Sequence, residues 1–153
     1  MYPRARSTMV AASLMASAFL AVPSPAHAQE VAGSWNITWA QAVRYKDGEL
    51  EIQRWGTGML KLDVDGEHVT GTWTTSVQET VRWTVSGTFS GGRLNLVSTG
   101  HDSDNPQLAI VEEMRWRAVL GEVGLEGEMT MVIRGRDGDL RWRPWSAARA
   151  AGR

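Results

Sequence analysis

The chain has 153 residues, a formal net charge of −1 and no cysteine. That balance supplies no basic footprint for nucleic acid, and the missing thiol excludes disulfides, thiol catalysis and a lipid-modified cysteine. Eight tryptophans, against two phenylalanines and two tyrosines, make the indole the dominant large side chain.

Residues 1–28 read as a secretory signal peptide. Arg4 and Arg6 form its positive start, 9–22 is an uncharged apolar run, and Ala26-His27-Ala28 is the small-x-small cleavage site. The run is shorter than the about 20 residues that span a bilayer, and no later segment is long and apolar enough to do so. The leader is bacterial in style, so a periplasmic or secreted protein is expected. About 125 residues then remain, enough for one domain with one core. We expect a barrel domain over 29–145 and a flexible C-terminal tail over 146–153.

The mature part opens on strict alternation. Trp35, Ile37 and Trp39 share one face, with Ser34, Asn36 and Thr38 on the other. Period two is the signature of a half-buried strand. The run can continue to Tyr45, with Lys46-Asp47-Gly48 as a turn. Residues 49–57 read either as a strand interrupted at Gly56 or as a lid-like loop, since glycine weakens a strand interior.

A hairpin follows. Leu60, Leu62 and Val64 alternate up to Asp65-Gly66, and Val69, Gly71, Trp73, Thr75 and Val77 alternate after it. Asp-Gly between alternating runs is a strong hairpin signal. The next inward series is Val81, Trp83, Val85, Gly87 and Phe89, then a turn at Gly91-Gly92, then Leu94 and Leu96. The polar stretch 98–107 reads as a loop, broken by Pro106. Met114, Trp116 and Ala118 resume the alternation, and Leu125, Gly127, Met129, Met131 and Ile133 continue it. Leu140 and Trp142 form a last inward pair, with Pro144 ending regular pairing.

About eight strands result, joined mostly by short turns, with no helical period outside the leader. Glycine recurs on the inner face as Gly-x-aromatic or Gly-x-Met: Gly33-Ser34-Trp35, Gly71-Thr72-Trp73, Gly87-Thr88-Phe89 and Gly127-Glu128-Met129. Inner-face glycines let a wall bend and admit a large neighbouring side chain. The fold expected is all-β: a single eight-stranded antiparallel up-and-down barrel.

Such a barrel is either filled by its own side chains or holds one small ligand. In the second case a pocket opens at one mouth, walled by Trp39, Trp55, Trp73, Trp83 and Trp116. Thr75, Gln53, Arg54 and Trp55 are its rim candidates. In the first, the protein acts through its surface, for instance through an aromatic patch around Trp55 and Trp145. His101-Asp102-Ser103-Asp104-Asn105 is a dense polar cluster, but it lacks the spacing and terminal glutamate of a calcium loop, and one histidine makes no zinc site. No metal and no cofactor is expected. There is no Gly-x-Ser-x-Gly elbow, HExxH or phosphate loop, and no paired acid and base, so the protein reads as a binder and not an enzyme. Glu126 and Glu128 face outward, where they can pair with arginines of neighbouring strands.

The sequence carries G-x-W, then L-x-L-x-x-D-G-x-x-V-x-G-x-W, then G-x-F-x-G-G-x-L-x-L behind a leader. In this it resembles the lipocalin-like, calycin-type small barrels of bacterial exported proteins. The resemblance covers nearly all of the mature chain, and it implies a secreted barrel that takes a small apolar molecule. Gly33-Ser34-Trp35-Asn36 and residues 69–77 are also similar to the first and third strand regions of the avidin family. That resemblance implies polar contacts from Asn36 or Thr75 and walls from Trp83 or Trp116 around biotin. It departs at Trp73, which stands where that family has tyrosine, and alternation turns Asn36 outward.

Overall fold

The computed structural model describes residues 29–76, 80–106, 108–135 and 141–151; the expected signal peptide lies outside them. Among the described residues the alternating runs become eight strands: β1 (Gly33–Lys46), β2 (Glu49–Asp65), β3 (His68–Ser76), β4 (Thr80–Ser90), β5 (Arg93–His101), β6 (Val111–Leu120), β7 (Leu125–Ile133) and β8 (Arg143–Arg149). Each pairs antiparallel with the next, and β8 pairs with β1, closing the barrel in sequence order. The expected all-β up-and-down barrel is the fold that forms.

Alternation works because successive side chains in a strand point to opposite faces. On β4, Val81, Trp83, Val85 and Phe89 are buried while Arg82, Thr84, Ser86 and Thr88 are exposed. Turn chemistry fixes the register of the hairpins. The Lys46↔Glu49 pair is closed by Asp47-Gly48, both with positive φ, as a type I′ turn requires. Asp65 pairs with His68, so the next loop is Gly66-Glu67, with positive φ at Gly66 alone. That is the type II′ pattern, one residue later than the Asp-Gly tip the sequence suggested. On the outer wall Arg117 and Glu128 pair across β6 and β7 at 2.6 Å, as the outward position of Glu128 predicts.

Four expectations need correction. Residues 49–57 are neither interrupted nor a lid: β2 runs unbroken through Gly56 and Gly58, and the irregularity falls on β1 between Ala40 and Val43. Residues 98–101 belong to β5. There the ladder to β4 slips between Thr84 and Ser86, which absorbs the polar residues Ser98 and Thr99 as a bulge. Asp102 then ties the chain down, its carboxylate accepting from the Arg82 N–H at 2.7 Å.

The third correction concerns the end of the chain. Pro144 does not stop the pairing. It sits at the second residue of β8, and residues 146–149, expected as tail, pair with β1 as Ser146↔Thr38 through Arg149↔Trp35. Proline is tolerated near the start of a strand, where its missing N–H costs no interior ladder bond. The fourth concerns Trp142. It does not face the core; the Arg117 guanidinium covers its ring at 4.1 Å on the outer wall. Val77 and Leu140, also expected inside, lie outside the described residues.

The two ends of the barrel differ. At the end carrying the β2–β3, β4–β5 and β6–β7 turns, the segment before β1 folds in as a plug. Val31 is fully buried, and its carbonyl accepts from the Trp35 indole N–H at 2.9 Å. Arg149 lies over the Trp35 ring at 4.2 Å and donates to the carbonyls of Ala32 and Glu30. The opposite end carries the β1–β2, β3–β4, β5–β6 and β7–β8 connections and, among the described residues, has no such plug.

Candidate functional site at the open mouth

Between the two ends the interior is filled by indoles. Trp73 is the hub: Trp39 meets it edge-on at 5.1 Å, Trp116 edge-on at 4.7 Å, and Trp83 stacks on it at 6.0 Å. Trp116 passes the contact on to Trp145 at 5.4 Å. Edge-to-face and offset pairs at these separations are the favoured arrangements of aromatic quadrupoles. The indole N–H groups of Trp73, Trp116 and Trp145, and the Ser98 hydroxyl, are buried without an acceptor among the described residues.

Above this layer a cavity of about 360 Å³ opens at the mouth. Trp39, Trp73 and Trp83 form its aromatic part, and Met114, Met129 and Met131 add pliable apolar wall. Thr75 supplies a nearly buried hydroxyl. Gln41, Arg54, Asn105 and Arg143 bring polar groups to it. The volume lies at the small end of the range for ligand pockets, about 300–1,000 Å³. A larger depression at the plugged end is lined mostly by turn residues such as Gly91, Gly92 and Gly121, over side chains already buried against the plug.

Of the six residues expected to bind, the structure brings Trp39, Trp73, Thr75 and Trp83 to one cavity. Trp116 is in the indole cluster beneath, in contact with Trp73, and does not line the cavity. Trp55 does not belong to it: the ring is 50% exposed on the outer face of β2, because Gly56 takes the inward position. Among the rim candidates Arg54 lines the cavity, while Gln53 is exposed and does not. Asn36 is exposed on the outer wall, so the polar contact the avidin resemblance drew from it is not made to the interior. Trp145, suggested for a surface patch, is 2% exposed and part of the core.

Gly56 shapes the cavity from behind. A Cβ at this position would stand 2.5 Å from Cε2 and Cζ2 of Trp39, so the indole occupies the space that glycine leaves. In a strand, alanine normally outperforms glycine by about 0.5–1 kcal/mol. Here we expect Gly56→Ala to destabilise by about 1–3 kcal/mol, the usual cost of overpacking. Urea unfolding reads the sign, and a stabilised variant would mean that Trp39 does not depend on this gap.

Sequence reasoning missed Arg143, which it set outward as the partner of an inward Trp142. Once β8 is recognised, Arg143, Trp145 and Ala147 share the inward face, so the signal was the alternation after Pro144 instead of before it. Arg143 is half-buried, and one of its terminal nitrogens donates to the Gln41 carbonyl at 3.1 Å. Burial pulls its pKa below the ordinary arginine value, with Tyr45 opposing the shift. It nonetheless carries its charge at neutral pH. His101 is absorbed by structure: its ring packs on Trp83 at 4.5 Å, and its Nδ1 accepts from the Ser103 N–H.

Fold and site together define a closed antiparallel barrel with an indole layer under a polar-rimmed mouth. A comparison of the sequence with protein-family models and with curated proteins finds no match.

Proposed function

We propose that the protein is a small-molecule binder, lipocalin-like in use, that takes one flat apolar ligand at the open mouth of the barrel. The observation that carries this reading is the cavity bordered by Trp39, Trp73 and Trp83. Rigid indoles give large apolar contact at little entropic cost, and the rim groups orient what enters. The role is binding and not catalysis. Export to a periplasm or the exterior goes with this reading and rests on the sequence of residues 1–28. The barrel shape is common to lipocalin-like and avidin-type proteins and identifies neither.

Tryptophan fluorescence titration with the neutral two-ring amide 2-naphthamide tests it. We expect saturable quenching with one site per chain, and an affinity changed roughly tenfold by Trp83→Ala, about the worth of one lost aromatic contact. Unaltered emission across the titration would end the carrier reading. The surface reading would then stand, supported by Trp55 and Met59, which are 50% and 47% exposed on the outer face of β2.

A further inference from the structure

Among the described residues, the charged groups lining the mouth cavity are of one sign. Arg54 reaches it from β2 and Arg143 from β8, on the two strands that flank β1, and among the described residues no carboxylate lines it. Composition does not explain the bias, since the chain has 17 acidic residues and 16 basic ones. The acidic residues that begin β6 are engaged elsewhere: Glu113 pairs with Arg115, and Glu112 with Arg134 at 3.3 Å.

Arg143 is the more telling of the two. A guanidinium has five N–H donors in a planar fork. The hydrogen bond that Arg143 makes among the described residues is to the Gln41 carbonyl, a neutral acceptor. Its position on the inward face, two residues from the fully inserted Trp145, turns it toward the cavity. A half-buried cation that, among the described residues, has one hydrogen-bonded carbonyl and no carboxylate partner is an unfinished ion site, because burial strengthens attraction to any anion that arrives.

We infer that the ligand is an anion: a flat apolar body that lies against Trp83 and Trp39, bearing a carboxylate or equivalent oxyanion that Arg143 receives at the rim, with Arg54 adding long-range attraction. This inference rests on the carrier reading and goes beyond it by giving the ligand a charge and an orientation, head outward and ring inward. The cavity's size limits the body to a small ring system. A carboxylate matches the guanidinium fork in geometry, which an amide of the same shape does not.

Isothermal titration calorimetry of the mature protein with 2-naphthoate and 2-naphthamide separates the two ideas, since the probes share shape and differ in charge. The expected result is that both bind and the carboxylate binds about tenfold or more tightly, the range of one charge-assisted hydrogen bond. In Arg143→Gln the preference should fall to near unity while the amide affinity holds. Equal affinities in the unaltered protein would overturn the anion inference and leave the carrier reading intact. Binding of neither probe would overturn both. The ratio in the unaltered protein needs no variant to fold. If Arg143→Gln is unstable, Arg54→Gln at its exposed position should still lower the preference, and an undiminished preference would remove Arg54 from the proposal.

Discussion

Removing residues 146–153 should leave a chain that no longer folds cooperatively. Four of the five β8 residues that pair with β1 would go, from Ser146 to Arg149, and with them the Leu125↔Ala147 and Glu126↔Ser146 pairs to β7. Both neighbours would become open edges, and an exposed edge recruits other chains. The plugged end would also lose Arg149 from the Trp35 ring and from the carbonyls of Ala32 and Glu30. At about 0.5–1.5 kcal/mol net per hydrogen bond, the lost pairing approaches the whole stability of a domain, about 5–15 kcal/mol. Thermal unfolding followed by circular dichroism, with size-exclusion chromatography, checks this. Aggregation or a lost transition is expected. An unchanged midpoint in the longer truncation would mean that this segment is a tail after all.

Trp73→Ala should be the most damaging single core substitution. The indole is 4% exposed and touches three others, so its loss leaves a void bounded by Trp39, Trp83 and Trp116. Rigid indoles cannot collapse into such a space. Truncation of a large buried aromatic typically costs about 3–5 kcal/mol, and we expect the upper part of that range. Trp73→Phe is the informative control. It keeps a ring in contact and removes an N–H that is buried without an acceptor among the described residues, which offsets part of the lost packing. Urea unfolding should therefore rank phenylalanine well above alanine. Equal losses would show that the indole edge, and not ring contact, holds the cluster together.

Alternation of Leu140 with Trp142 and alternation of Trp145 with Ala147 are equally good period-two patterns. Proline inside a strand ends regular pairing, yet at the first residues of a strand it is harmless. Nothing local distinguishes the two cases; what decides is that β1 needs a partner to close the barrel. Trp55 failed for a related reason. A break expected at Gly56 cuts it off from the parity that Leu60 and Leu62 set, whereas the unbroken β2 carries that parity back through both glycines and turns Trp55 outward.

The sequence by itself determined the strand class, the inward faces of β3, β4, β6 and β7, the turns at Asp47-Gly48 and Gly91-Gly92, and the indole-rich core. These follow from period-two patterning and from backbone conformations that only a few residues adopt, and both are local. The tertiary structure alone decided that the last strand starts at Arg143, that the segment around Val31 plugs one end, and that a cavity lined, among the described residues, by two arginines and no carboxylate is left at the other. Those features arise from closure. Strands far apart in the chain set the interior volume together, and no short stretch of sequence records how much of it the side chains leave empty.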